Sequence, residues 1–398
     1  MLGAAVLVVG VGAVGAVALQ SPHLRESLRA SPLFQRLNSP LLRSADARLY
    51  NLRHQLLSTA ELGDGGPVAD IRLFDPMGLG RDAAGNLLVS DRGGTGPGRV
   101  VWRLGTDGTA RILAGTGRRG TSPTGIPARR SDLGSPQSLC VDSAGRVYFA
   151  DSYNHVILRI ETDGTLRRIA GIGRPGAGGD GGPASEAALN QPYDVRVDSE
   201  GNLYIADFGN NRIRKVTADG VMHTVAGRGD AGYEGDGGPA TAALLDGPYG
   251  VYSDTALGLL IADSYNHVIR AVDRQGNIRT LAGTHRPGLT GDGGPALSAR
   301  FDTPQALWVT PSGSTYVGDE HNHAIRVIEP GGLIHLVAGT GAPGFSADGT
   351  PADSGRIEDP ENIVVPEDGT VVFTEAGSGR VRYVGPDGRL GTIAGGAE

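Results

Sequence analysis

Residues 180–227 read Asp180-Gly-Gly-Pro-Ala, a short run ending in Leu189, then Pro192-Tyr-Asp-Val-Arg-Val-Asp-Ser-Glu-Gly-Asn-Leu-Tyr-Ile-Ala-Asp207-Phe-Gly-Asn210-Asn-Arg-Ile-Arg-Lys-Val-Thr-Ala-Asp-Gly, closing on Thr-Val-Ala226-Gly227. The closing Ala-Gly recurs at Gly115, Gly171, Gly227, Gly283, Gly339 and Gly395, at intervals of 56 residues. A fixed period of this length marks a repeat architecture and is read before any single element. Within the unit the spacing predicts four strands, at 194–198, 202–206, 212–217 and 222–226. The second alternates apolar and polar residues in the manner of a half-buried strand. Asp207-x-x-Asn210 is a turn in which short polar side chains bond nearby backbone. Asp219-Gly220 is a hairpin signal, repeated at Asp107-Gly108, Asp163-Gly164 and Asp387-Gly388.

Four short antiparallel strands per unit, six units and no helical period between them predict an all-β fold, a six-bladed β-propeller. Its blades run at about 76–115, 136–171, 192–227, 248–283, 304–339 and 360–395, within a domain at 61–398. Each unit from proline to Ala-Gly is self-contained, so no strand is exchanged between the first and last blades. Gly63-Asp64-Gly-Gly-Pro67 sits in register with the linkers but has no blade ahead of it. Residues 61–75 are therefore expected to dock between blade six and blade one and close the ring.

The 65 glycines and 24 prolines of this 398-residue chain fall at fixed repeat positions, so they read as turns and not as disorder. The net charge is −7. Residues 1–60 carry six arginines and two acidic residues, which leaves 30 basic and 41 acidic groups in 61–398, a net of −11. Such a domain is a poor match to a phosphate backbone, and no nucleic-acid partner is expected. The single Cys140 excludes an internal disulfide.

Met1–Leu19 has no charged side chain. As a helix it would be about 28 Å long, close to the ~30 Å hydrocarbon core, and residues 1–20 are read as a transmembrane anchor, with a cleaved signal peptide as the competing reading. Arginines follow this stretch and none precedes it, which by charge alone would face the domain to the cytoplasm. Three Ser-Pro pairs, at 21–22, 31–32 and 39–40, start short helices in a basic stalk over 21–60.

The unit Pro-x-x-Val-x-Val-Asp-x-x-Gly-Asn-Leu-Tyr-x-Ala-Asp-x-x-Asn-His-x-Ile-Arg resembles the NHL repeat. Ala262-Asp263-Ser-Tyr-Asn266-His267-Val-Ile269-Arg270 and Asp319-Glu-His-Asn322-His323-Ala-Ile325-Arg326 carry the likeness, and the Gly-Asp-Gly-Gly-Pro-Ala linkers at 179, 235 and 291 are similar to bacterial and teneurin-type versions. The resemblance implies a propeller that binds proteins, ligands or sometimes RNA. Bacterial sensor ectodomains of this kind lie beyond a membrane span, so it also implies a propeller outside the cytoplasm. Blade one departs from the pattern, with Gly93–Arg99 making its turn four residues longer, and blade six has Glu375 and Ser378 in place of Asp and Asn.

Comparing the six copies separates packing from candidate function. The third residue after the proline is always aliphatic: Leu79, Leu139, Val195, Val251, Leu307, Ile363. The fourth differs in every blade, including Arg196, Tyr252 and Trp308, and the second also varies, including Asp194 and Asn362. The first adds a rim of Met77, Gln137, Tyr193, Tyr249, Gln305 and Glu361. Tyr193, Asp194, Arg196, Tyr249, Tyr252, Gln305, Trp308, Glu361 and Asn362 are thus the candidate ligand-binding residues near the axis. His155, His267 and His323 sit at equivalent turns on separate blades, too far apart to converge on one ion, and read as turn residues. One carboxylate per Gly-Asp-Gly-Gly linker is too few for calcium, and these read as turn caps. With no nucleophile motif and no phosphate loop, no catalytic residue, metal site or cofactor is assigned.

The expected function is a membrane-tethered, non-catalytic binding module, a sensor or scaffold for a protein, glycan or small-molecule ligand. The alternative is a metal-dependent lactonase- or lyase-like enzyme using Asp194, Glu361 and Asn362, with Arg196 placed to neutralise Asp194.

Overall fold

The computed structural model describes residues 62–94 and 96–396. The expected anchor over 1–20 and helical stalk over 21–60 lie outside them. No helix among the described residues is long and apolar enough to cross a membrane. The chain divides into two units, of which residues 58–94 and 98–398 form the larger, and the described residues of that unit make the six-bladed propeller. Six antiparallel four-stranded sheets each take their strands consecutively from the chain, so no strand is exchanged between blades. Blade three is typical, with strands Pro192–Val197, Leu203–Asp207, Arg212–Val216 and Met222–Ala226. The first strands touch their neighbours all round the axis, that of blade six (Pro360–Val364) against that of blade one (Pro76–Arg81).

Blades bury their faces on one another. Between blades two and three, Ala150, Ile157 and Ala170 meet Val195, Leu203, Ile205 and Val216, with Ala184, Ala187 and Leu189 of the linker filling the edge. All six aliphatic residues at the third position after the proline are buried, as their sameness predicted.

The turn after the second strand is pinned by a buried acid: Asp91, Asp151, Asp207, Asp263, Asp319 or Glu375. Asp207 accepts the Asn190 N–H at 2.7 Å and Asn210 Nδ2 at 2.8 Å, while Asn210 Nδ2 also donates to Gly176 O at 2.7 Å. One short turn thereby holds the linker entering its own blade. In blades three to six this acid also meets an arginine that is fully buried: Arg214, Arg270, Arg326 or Arg382. Arg270 lies 3.3 Å from Asp263 and 2.6 Å from linker Asp236. The linker aspartates of those blades are partners of buried guanidinium groups, beyond the turn-capping role read from sequence. Trp102 and Leu158 take the arginine position in blades one and two. Burial pushes the Asp263 and Asp319 carboxyls up to about 7 against the pull of their arginines.

The three turn histidines are left-handed, at φ 54, 55 and 45, and are acceptors. His155 Nδ1 receives the Gln191 N–H at 3.0 Å, His267 Nδ1 that of Thr303 at 3.2 Å, and His323 Nδ1 that of Asp359 at 3.4 Å. Asn211 Oδ1 does the same for Gly247 at 2.9 Å. Each side chain fixes the residue before the next blade's proline, so the residues read as turn formers also couple neighbouring blades.

Ring closure follows the expected route. Gly65 and Val68 donate to Ala110 O and Gly108 O of blade one at 2.8 and 2.9 Å, and Asp64 Oδ1 accepts the Ile112 N–H at 2.9 Å. The turn Val68–Asp70 packs on the last strand of blade six, Leu390–Gly395. Leu62, Ile71 and Leu73 are buried there.

Candidate functional site

In every first strand the pairing register shifts just after the proline. A bulge of this kind re-aims a side chain. Here it collects Met77, Gln137, Tyr193, Tyr249, Gln305 and Glu361 around the axis, with Ser138, Asp194, Gly250 and Asn362 beside them. These ten residues from all six blades line a void of only about 10 Å³, the room of about one water molecule.

A polar floor closes the axis. Asp194 Oδ1 accepts the Val195 N–H at 2.8 Å and faces Arg196 Nε at 3.4 Å, while Oδ2 accepts the Val251 N–H of blade four at 2.9 Å. Arg196 Nη2 donates to Asn362 Oδ1 at 3.3 Å, and Asn362 Nδ2 donates to Ser138 Oγ at 3.0 Å. This chain of bonds ties blades two, three, four and six together. A metal would need the oxygens of Asp194, Asn362 and Glu361 free and convergent, but those of Asp194 and Asn362 are committed to N–H donors and a guanidinium. Among the described residues no group of three or more His, Cys, Asp or Glu side chains is gathered to hold an ion. Asp194, Asn362 and Glu361 thus do not offer a free, convergent set of oxygens to a central metal.

The rim is asymmetric. On the side of blades three and four, Tyr193 and Tyr249 stack with centroids 4.2 Å apart, and Phe208 meets Tyr193 edge-on at 4.6 Å. Tyr265 continues this wall at 5.7 Å from Phe208, half exposed. Burial, with Glu361 and Tyr193 nearby, holds the Tyr249 hydroxyl well above the ordinary phenol range. On the side of blades five and six, burial and the neighbouring Glu320 push the Glu361 carboxyl well up, with Arg92 pulling the other way. Gln305 Nε2 donates to Glu320, and Arg92 is held at 2.6 Å by Asp75. Glu361 Oε2, Gln305 Oε1 and Gln137 Oε1 are buried acceptors with no hydrogen-bond partner.

Of the nine candidate residues, Tyr193, Asp194, Tyr249, Gln305, Glu361 and Asn362 share the void. Arg196, Tyr252 and Trp308 do not line it. They stand two or three residues deeper along their strands, roughly 7–10 Å. Tyr252 and Trp308 meet edge to face at 5.7 Å, and the Tyr252 hydroxyl donates to Val309 O at 3.2 Å. The sequence reading missed Phe208, Tyr265, Glu320, Asp75 and Arg92. Three of these occupy the two places inside the Asp-x-x-Asn turn (Phe208-Gly209, Ser264-Tyr265, Glu320-His321), where the copies also differ, although blades two and four share Ser-Tyr. A roomier groove of about 390 Å³ lies at the hairpins of blade four between Leu257 and Arg274. It gathers residues from one blade alone.

Residues 172–233 match the family model of the teneurin NHL domain. Teneurin-1 of Mus musculus is 23% identical over 365 residues, covering 80% of this chain and 12% of that protein. NHL repeat-containing protein 2 of Bos taurus is 26% identical over 283 residues, covering 61% of this chain and 38% of that protein. The chain thus spans well under two thirds of the length of these curated relatives. Among solved structures, an auxiliary nutrient binding protein from Bacteroides thetaiotaomicron superposes with a TM-score of 0.58 at 13% identity, covering 81% of this chain and 70% of that one. That likeness is one of fold alone.

Proposed function

Since this chain belongs to the NHL-repeat family, we propose that it is a non-catalytic binding module whose axial mouth docks a protein. The observation that carries this reading is the mouth itself: an aromatic wall facing buried, unpartnered acceptors over a sealed floor. A void for about one water is far smaller than the 300–1,000 Å³ of a small-molecule pocket, so the mouth suits a side chain offered by a larger partner. Tyrosine is enriched among the residues that dominate interface energies, and Tyr265 stands half exposed where a partner would pack. The surplus of acidic groups over 61–398 favours a basic partner surface. The lactonase- or lyase-like alternative finds no support in the donor set, because the floor that would hold its metal is already bonded.

The test is affinity for a partner isolated on the immobilised propeller. Tyr265→Ala is expected to weaken it about thirtyfold, a hot-spot loss of ~2 kcal/mol, while Trp308→Ala, set deeper, changes it less than threefold. Equal affinity of wild type and Tyr265→Ala overturns this site.

We also propose that residues 1–20 tether the chain to a membrane with the propeller outside the cytoplasm, on the strength of the uncharged run Met1–Leu19. Protease added to intact cells is expected to digest the propeller. Protection until lysis overturns that orientation.

A further inference from the structure

Three of the residues that line the void at the mouth each carry a buried oxygen without a hydrogen-bond partner, and these oxygens bear on what should enter it. Glu361, Gln305 and Gln137 are 7%, 4% and 2% exposed and come from blades six, five and two. A buried acceptor left unmade costs about 1–3 kcal/mol, so the two glutamine oxygens, with Glu361 between its neutral and ionised forms beside them, favour a donor entering this space. The amide orientation of Gln305 is fixed by its neighbours: Nε2 goes to the Glu320 carboxylate, which leaves Oε1 as the free end. Gln137 Nε2 is likewise spent on Ser135 Oγ at 3.1 Å.

On the premise that the mouth is a binding site, we infer that it seats a single alkylammonium group, presented by a partner's lysine side chain or chain N-terminus, on Glu361 Oε2, Gln305 Oε1 and Gln137 Oε1. Number, size, charge and surroundings each support this choice. An –NH3⁺ group has three donors and no acceptor, one for each oxygen, whereas water brings two donors and no charge. A space of about 10 Å³, the room of about one water, matches an ammonium nitrogen better than a planar guanidinium or an imidazolium ring. Glu320, Asp75 and Asp359 push the Glu361 carboxyl up and Arg92 pulls it down, with the Tyr249 hydroxyl close by; Arg196 bonds the next residue, Asn362, and His321 lies against Glu320. That balance rejects anions. Tyr193 and Tyr249 beside the void supply aromatic surface against which an alkyl stem packs. A hard divalent cation is disfavoured because it demands six or more oxygens.

One consequence separates this reading from simple hydration. Burial keeps the empty Glu361 carboxyl protonated well above the ordinary carboxylate range, with Glu320, Asp75 and Asp359 adding to the effect and Arg92 opposing it. Seating a cation favours the ionised form, so binding releases a proton. Affinity then rises with pH, until the amine itself loses its proton near ~10.

The experiment is isothermal titration of the full chain with n-butylammonium, guanidinium and potassium chlorides, each at pH 6.5 and 8 in two buffers of different ionisation enthalpy. We expect n-butylammonium to bind, with proton release and at least threefold tighter at pH 8. Guanidinium and potassium should bind at least tenfold more weakly. Glu361→Gln keeps the shape and removes the charge, and should weaken n-butylammonium at least tenfold without lowering the melting temperature. Two peptides then assign the source. Binding by an N-acetylated lysine peptide assigns a lysine side chain, and binding by a lysine-free peptide with a free amino end assigns an N-terminus. Absent binding at millimolar n-butylammonium, equal binding of potassium, or unchanged affinity in Glu361→Gln each overturns the inference. If those fail while Tyr265→Ala still weakens the isolated partner, the ammonium assignment falls and the docking mouth stands.

Discussion

A chain lacking residues 62–75 is expected to melt far below the intact propeller. The segment has no blade of its own, yet it closes the seam between blades six and one through Gly65, Val68 and Asp64 on one side and the turn Val68–Asp70 on the other. Its deletion uncovers the pockets of Leu62, Ile71 and Leu73, each worth about 1.5–3 kcal/mol of apolar burial, so a loss of roughly 4–9 kcal/mol is expected from these side chains alone. Urea unfolding of the internal deletion against the full chain measures it. Ile71→Ala, which leaves the backbone bonds in place, should cost about 2–5 kcal/mol. A deletion that unfolds at the same urea concentration as the full chain would show that the seam is closed by blade-to-blade packing without the segment.

The second large effect is at the buried acids. Measured at pH 8, above the value of about 7 to which burial raises its carboxyl, Asp319→Ala should cost about 3–5 kcal/mol, the usual loss when one partner of a buried charge pair is removed. Asp319 and Arg326 are both fully buried and 3.6 Å apart, and Asp319 also accepts the Asp302 N–H at 2.7 Å and Asn322 Nδ2 at 2.8 Å. After the change Arg326 keeps only Asp292 as a charged partner, at 3.1 Å. Adding Arg326→Leu removes the stranded cation and introduces the residue type that blade two carries as Leu158. The double-mutant cycle should show coupling of about 1 kcal/mol or more. Additive losses would place the cost in the lost N–H acceptors instead.

The propeller was legible because its instructions are local and repeated. Asp-Gly hairpins, the Asp-x-x-Asn turn and the proline before each first strand specify structure within a few residues of themselves, and six copies in phase leave little freedom for error. Residues 61–75 could be placed for the same reason, since they keep the register with nothing before them. The mouth was only partly legible. Disagreement among copies pointed to the fourth and second positions, of which Asp194 and Asn362 line the void and Arg196, Tyr252 and Trp308 do not, while Tyr193, Tyr249, Gln305 and Glu361, added as a rim, lie together there. Strand periodicity alone could not foresee the bulge after the proline, which separates the rim from Arg196, Tyr252 and Trp308. Nor does spacing along the chain show that Asn362 crosses the axis to Arg196 and Ser138, a contact that exists only once the ring is closed. Phe208, Tyr265 and Glu320 were passed over because they lie inside a turn whose flanking residues are plainly structural.

Each sheet is taken whole from one stretch of chain, and the joints between sheets are made by side chains such as His155, His267 and Asn211 reaching forward by one unit. Which blade the chain visits first is therefore nearly irrelevant to the finished ring, provided their cyclic order is kept. A circular permutant of the propeller opened between Arg174 and Pro175, both exposed, with a flexible bridge joining Gly396 to Leu62, should preserve every sheet. The same independence lets a unit be duplicated or exchanged as a cassette, with the contents of the mouth changing one sixth at a time.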